Sequence, residues 1–176
     1  MSREQAGSVF LVGPMGAGKT TVGKKLAEQR GLRFIDSDHE IEERTGVDIA
    51  FIFEKEGEQG FRKREQQVLQ DLTGHRSIVL ATGGGAVLLP ENRSHLKARG
   101  FVVYLHASVN QQYTRVERSD NRPLLATGDR RETLARLFAE RDPLYREVAD
   151  LVLDTDGKNA KQLARDIELA MAGDTP

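Results

Sequence analysis

A three-layer αβα fold around a five-stranded parallel sheet is the architecture that this sequence predicts, and three observations predict it. Short apolar runs alternate with amphipathic stretches from one end of the chain to the other. The runs are continuously apolar rather than alternating, as in strands covered on both faces. The order β, α, β, α continues without an internal repeat, a low-complexity tract or an interdomain linker, which favours a doubly wound sheet. The 176 residues are read as one domain, 1–176, long enough for a core of its own.

The elements follow in order. Residues 8–12 are an apolar strand, and residues 19–30 carry helical spacing up to Gly31. A second strand at 32–35 leads to a short helix at 41–45, closed by Gly46. The pattern over 49–68 is helical, with Gly57 breaking it into two helices and Gly74 beyond its end. Strand 78–81 precedes a triple glycine, and helix 91–98 ends at Gly100. Strand 102–105, helix 109–118, helix 132–148, strand 151–153 and helix 160–171 complete the chain. Residues 119–131, SDNRPLLATGDRR, fit neither period; a segment of this length with proline, glycine and arginines is expected to be a lid, mobile without ligand and ordered by nucleotide.

Composition narrows the function classes. Apolar residues make up 38% and charged residues 30%, and the net charge of −1 leaves no basic field for nucleic acid or an anionic membrane. The sequence contains no cysteine, which excludes a disulfide scaffold, thiol catalysis and cysteine-based zinc sites. No apolar run reaches membrane-span length and residues 1–7 lack the apolar core of a signal peptide, so a soluble, cytoplasmic protein is expected. A charge-rich surface without a heptad seam is compatible with a monomer.

The first strand runs into Gly13, Gly18, Lys19 and Thr20, spaced as G-x-x-x-x-G-K-[ST] between a strand and a helix. Successive backbone N–H groups in such a turn form an anion nest backed by a helix N-terminus. Gly16 and Gly18 let phosphate oxygens approach the backbone, with Ala17 and Thr21 completing the loop and first turn. Lys19 is expected to reach the β and γ phosphates, and Thr20 to ligate Mg²⁺. The loop binds a nucleoside triphosphate, read as ATP.

Asp36 and Asp38 stand two apart at the end of the second strand. In extended backbone both carboxylates face the same crevice, where one can hold Mg²⁺ through water and the other receive a hydroxyl proton. The bland alternative is a helix cap made by Ser37 or Asp38. The third strand offers no Asp for the metal, which puts that role on Asp36. Gly83, Gly84 and Gly85 either make a turn or let a polyhydroxylated ring lie on bare amides. Arg62, with Glu65 three residues on to orient it, Arg122 and Arg146 are candidates for phosphate or carboxylate. Arg122, beside Pro123 in the expected lid, suits charge on a transferring phosphoryl group. The histidines at 39, 75, 95 and 106 show no metal-ligand spacing and read as ordinary polar residues.

Taken together and in this order, LVGPMGAGKTTVGKKLA, FIDSDHEIEERTG, EGEQGFRKREQ, ATGGGAV, NRPLL and DPLYREVAD resemble shikimate kinases over nearly the whole chain, from about Val9 to Ala170. The resemblance implies a phosphate-loop NTPase fold like that of nucleoside monophosphate kinases, with acceptor-binding helices at about 37–68 and a lid at about 119–131. It implies transfer of the ATP γ-phosphate to the 3-hydroxyl of shikimate, toward chorismate and the aromatic amino acids. In that pattern Asp38 contacts the accepting hydroxyl and Asp36 holds one Mg²⁺ through water. Arg62 and Arg146 clamp the carboxylate, the backbone of Gly83, Gly84 and Gly85 meets the ring hydroxyls, Arg122 descends on the phosphates, and Arg115 packs along the adenine. Asn159-Ala160 stands where some members carry a proline. Other readings remain open here: another small-molecule or nucleoside monophosphate kinase, or a kinase fold surviving as an interaction module. A GTPase-like switch fits poorly, since Asp71-Leu72-Thr73-Gly74 closes a helix and no guanine-reading N-K-x-D occurs.

Overall fold

The computed structural model describes residues 7–117 and 129–173. Five strands form one sheet: β1 (Val9–Val12), β2 (Arg33–Asp36), β3 (Ile78–Ala81), β4 (Phe101–His106) and β5 (Leu151–Asp154), in the order β2-β3-β1-β4-β5. Every pairing is parallel, for example Val9 with Val79 on one side and with Phe101 on the other. Chain order departs from β1 in both directions, so the turn after β1 sits at the switch point where parallel sheets form their ligand crevice.

The helices are α1 (Lys19–Arg30), α2 (Ser37–Thr45), α3 (Ile49–Leu72), α4 (Pro90–Arg99), α5 (Val109–Val116), α6 (Arg130–Val148) and α7 (Ala160–Met171). They explain why β1 is apolar throughout. Phe10 and Val12 pack with Ile41, Leu69, Leu96 and Tyr145 from α2, α3, α4 and α6. Val9 and Leu11 pack on the opposite face with Val22, Leu26 and Ile167 from α1 and α7. Both faces of the strand are covered, as the continuous runs require.

Gly57 breaks α3 as expected, with φ 71° and ψ −179°, a conformation that a residue with a Cβ rarely adopts. Two boundaries differ from expectation by four residues, and the others agree to within two. The helix after β2 begins at Ser37 rather than 41, because Asp36, not Ser37 or Asp38, is the cap: its carboxylate accepts from the backbone N–H groups of Asp38 and His39. The α3 helix continues to Leu72 because Leu69 and Leu72 prolong the buried stripe of Val68. Asp129 caps α6 by accepting from Arg131 and Glu132.

Candidate functional site

The loop from Gly13 to Gly18 joins β1 to α1. No side chain caps α1; Gly18 takes a left-handed conformation (φ 88°) and the positive end of the helix opens onto the loop. Lys19 curls back along it, its Nζ donating to the carbonyls of Gly13 (2.7 Å) and Pro14 (2.8 Å). Arg115, on α5, donates to the Gly16 carbonyl at 2.7 Å, which brings a cation from the opposite wall to the loop's rim. Ala17 is buried and Thr21 exposed on the first turn of α1.

The Thr20 hydroxyl donates to Asp36 Oδ2 at 3.0 Å, while Oδ1 of the same carboxylate accepts from Asp38 N (2.9 Å) and His39 N (3.2 Å). Asp36 therefore caps α2 and faces the loop at once. Two hard oxygen groups side by side suit Mg²⁺, which takes few protein ligands and fills its shell with water and phosphate oxygens. Among the described residues no larger cluster of His, Asp and Glu gathers as a metal site, so these are the groups that fit it.

Beyond Asp36 lies a cleft of about 340 Å³ with Asp38, Arg62, Glu65, Arg141 and the triple glycine in its walls. Ile49, Phe53 and Phe61 give it an apolar side, and His39 also reaches it, with Nε2 3.1 Å from Glu43. The Thr82 hydroxyl ties the start of the glycine run to β1 by donating to the Leu11 carbonyl at 2.8 Å. The glycines are there for close approach. A Cβ on Gly83 would lie 2.7 Å from Asp38 Oδ1, and one on Gly85 would lie 2.5 Å from the guanidinium carbon of Arg62. Side chains at these two positions would displace the carboxylate and the guanidinium from the cleft.

Arg62, whose side chain is 11% exposed, donates to Glu65 at 2.9 Å, as the three-residue spacing suggested. Glu65 is buried. Burial pushes its carboxyl pKa up, against the opposing pull of Arg62 and Arg141. Arg141 is 4% exposed. Both arginines also carry a buried Nε without a hydrogen-bond partner among the described residues, so this corner is cationic and has donor capacity for an entering anion.

Arg146 is not part of it. It lies outside the cleft, half exposed, with Nε on Asp142 at 3.0 Å and its guanidinium over the Tyr104 ring. The reason is helical geometry: five residues advance the side chain by about 140° around α6, away from the face that Arg141 occupies. Arg141 is the residue that sequence reasoning missed. Its signal was present, since Leu134, Arg141, Tyr145 and Val148 are all buried at helical spacing along α6. Arg122 lies outside the described residues, as do residues 119–128 of the expected lid.

Comparison with known proteins points to one family. The sequence model of the family described as Shikimate kinase matches residues 15–172. The shikimate kinase of Vibrio campbellii is 56% identical over 160 residues, covering 91% of this chain and 93% of that protein. That of Halorhodospira halophila is 57% identical over 165 residues, covering 94% and 93%. The structure of shikimate kinase from Acinetobacter baumannii in complex with shikimate superposes with a TM-score of 0.94 at 52% identity, covering 97% of this chain and 95% of that one. On the match along the sequence and on the fold alike, this chain belongs to the shikimate kinase family.

Proposed function

We propose that the chain transfers the γ-phosphoryl group of ATP to the 3-hydroxyl of shikimate, giving shikimate 3-phosphate and ADP. The observation that carries this reading is one cleft with two cationic side chains in one corner, Arg62 and Arg141, and the Asp38 carboxylate against Gly83 in its wall. A small ring carrying one carboxylate and several hydroxyls matches that distribution. Paired planar guanidinium groups suit the carboxylate, and the bare backbone of Gly83, Gly84 and Gly85 suits the ring.

ATP lies with its phosphates on Gly16, Ala17, Gly18 and the first turn of α1 with Thr20 and Thr21, and with its base toward Arg115. Lys19 exchanges its loop carbonyls for phosphate oxygens and offsets charge as the γ-phosphoryl moves. Thr20 directly, and Asp36 through water, would hold Mg²⁺, which would supply charge neutralisation on the phosphates. Asp38 accepts the hydrogen bond of the acceptor hydroxyl and takes its proton while the oxygen forms the new bond to phosphorus and the bond to the ADP oxygen breaks. Arg62 and Arg141 fix the acceptor by its carboxylate, and Glu65 fixes Arg62. Arg122 keeps the phosphate-binding role that the family pattern gives it.

On this reading the partners are two small molecules, and the protein acts as a monomer in the cytoplasm, as expected from its charge-rich surface without a heptad seam. Among the described residues no helix is long and apolar enough to cross a membrane. Phosphorus NMR of a mixture of protein, ATP, Mg²⁺ and shikimate tests the reaction. A new phosphomonoester resonance coupled to the proton on ring carbon 3 is expected; ATP left intact, or phosphate on another carbon, overturns the proposal.

A further inference from the structure

Three consecutive glycines have no side chains to resist a turn of their peptide planes. The Gly83 N–H donates to Ser37, and the Gly83 and Gly85 carbonyls accept from Ala86 and Leu88, which leaves the Gly84 carbonyl to be held. Something must hold that wall still if it is to present amides to a ligand. Tyr145 is placed to do so. It is 1% exposed, lies one turn beyond Arg141 on α6, and donates its hydroxyl proton to the Gly84 carbonyl at 2.6 Å. The site is tightly gathered. The position a Cβ would take on Gly84 is 3.4 Å from an Arg141 guanidinium nitrogen, 3.6 Å from Met15 N of the phosphate loop and 3.8 Å from the Tyr145 oxygen. The ring itself is clamped on Tyr104, with centroids 4.9 Å apart.

A peptide group is planar and trans, so holding the Gly84 carbonyl on Tyr145 directs the Gly85 N–H the opposite way. We propose that Tyr145 is a positioning residue for the acceptor: its hydroxyl locks the Gly84–Gly85 peptide, and, lying beside Arg141, keeps the amide and guanidinium donors of the cleft in register. Burial raises the phenol pKa, so the hydroxyl stays protonated and remains a donor. The inference rests on shikimate occupying this cleft.

Tyr145→Phe keeps the ring and removes the hydroxyl, and with it the bond to Gly84 and the hydroxyl's hydrogen bond with Arg141. The KM for shikimate is expected to rise about tenfold, the loss of one buried hydrogen bond, with the KM for ATP within about twofold of wild type. Tyr104→Phe is the control. It removes another hydroxyl from the same packing, one donated to Asp142 on α6 at 2.6 Å, and should leave the shikimate KM within about twofold. Placing 4-aminophenylalanine at position 145 restores a donor and should restore the shikimate KM, which keeps the test decisive if Tyr145→Phe folds poorly. An unchanged shikimate KM in Tyr145→Phe, equal rises for shikimate and ATP, an equal effect of Tyr104→Phe, or no rescue by the amine overturns the role. Shikimate turnover by the wild type in the same series separates this failure from failure of the acceptor assignment.

Discussion

Arg141 and Arg146 lie on one helix, five residues apart, one buried in the cleft wall and the other half exposed outside it. Truncating Arg141 to alanine removes a buried cation from the corner proposed to bind the acceptor carboxylate. A hydrogen bond to a charged group contributes about 1.5–3 kcal/mol. At 1.36 kcal/mol per factor of ten, the upper half of that range raises the shikimate KM about 45- to 160-fold. Arg146 is 52% exposed in its side chain and pairs with Asp142 at 3.0 Å. Such pairs contribute about 0.2–1 kcal/mol, and this one to stability rather than to binding, so Arg146→Ala should change the shikimate KM by less than about threefold. The assay is initial-rate kinetics with shikimate varied at saturating ATP, alongside direct titration with ATP, whose affinity neither variant should alter by more than about threefold. Circular dichroism verifies that both variants are folded. A larger acceptor effect from Arg146→Ala than from Arg141→Ala would refute the assignment of the carboxylate corner.

Three further outcomes are expected. Asp38→Asn keeps the shape but cannot take a proton, so kcat should fall at least about 100-fold with ATP affinity nearly intact; unchanged turnover would reduce Asp38 to a residue of the first turn of α2. Gly85→Ala puts a methyl where the Arg62 guanidinium lies, and Glu65 at 2.9 Å keeps that group from moving aside. The shikimate KM should rise roughly 10- to 100-fold, and an unaltered value would show that Arg62 does not lie there during turnover. Burial opposes ionisation of Asp142, yet hydrogen bonds from Tyr104 and Arg146 hold its carboxyl below the usual 3.8. A carboxylate depressed on folding stabilises above that value, and the contribution is lost as pH falls through its lower folded value. Thermal unfolding of Asp142→Asn should therefore depend less on pH below 3.8 than that of the wild type; parallel curves would contradict this.

Much of the fold was legible because the sequence patterns have single physical causes. A strand buried on both faces must be apolar throughout, and Val9, Phe10, Leu11 and Val12 each meet one helical layer or the other. Gly31 and Gly46 end their helices in left-handed conformations, as their positions suggested. The start of α2 was less legible. Strand and helix abut with no loop between them, and one carboxylate, Asp36, closes the first and caps the second. Asp36 and Asp38 meet the same cleft for that reason, and not because both project from extended backbone. In the site, Arg62 with Glu65 could be read from spacing alone, whereas choosing between Arg141 and Arg146 required the rotation of α6 against the core. The short segment DPLYR shows charge but not which way the charge points. The Tyr145 bond to Gly84 joins residues 61 apart, a contact no local pattern contains.

On the proposed function, this cleft accepts shikimate and no other phosphoryl acceptor of comparable size. ADP release from ATP and Mg²⁺, measured with shikimate, gluconate, CMP, AMP and no acceptor in parallel, tests it most directly. Turnover confined to shikimate is the predicted result. Comparable turnover with another acceptor, or release independent of any acceptor, would contradict the reading of Asp38, Arg62, Gly84 and Arg141 while leaving the phosphate loop in place.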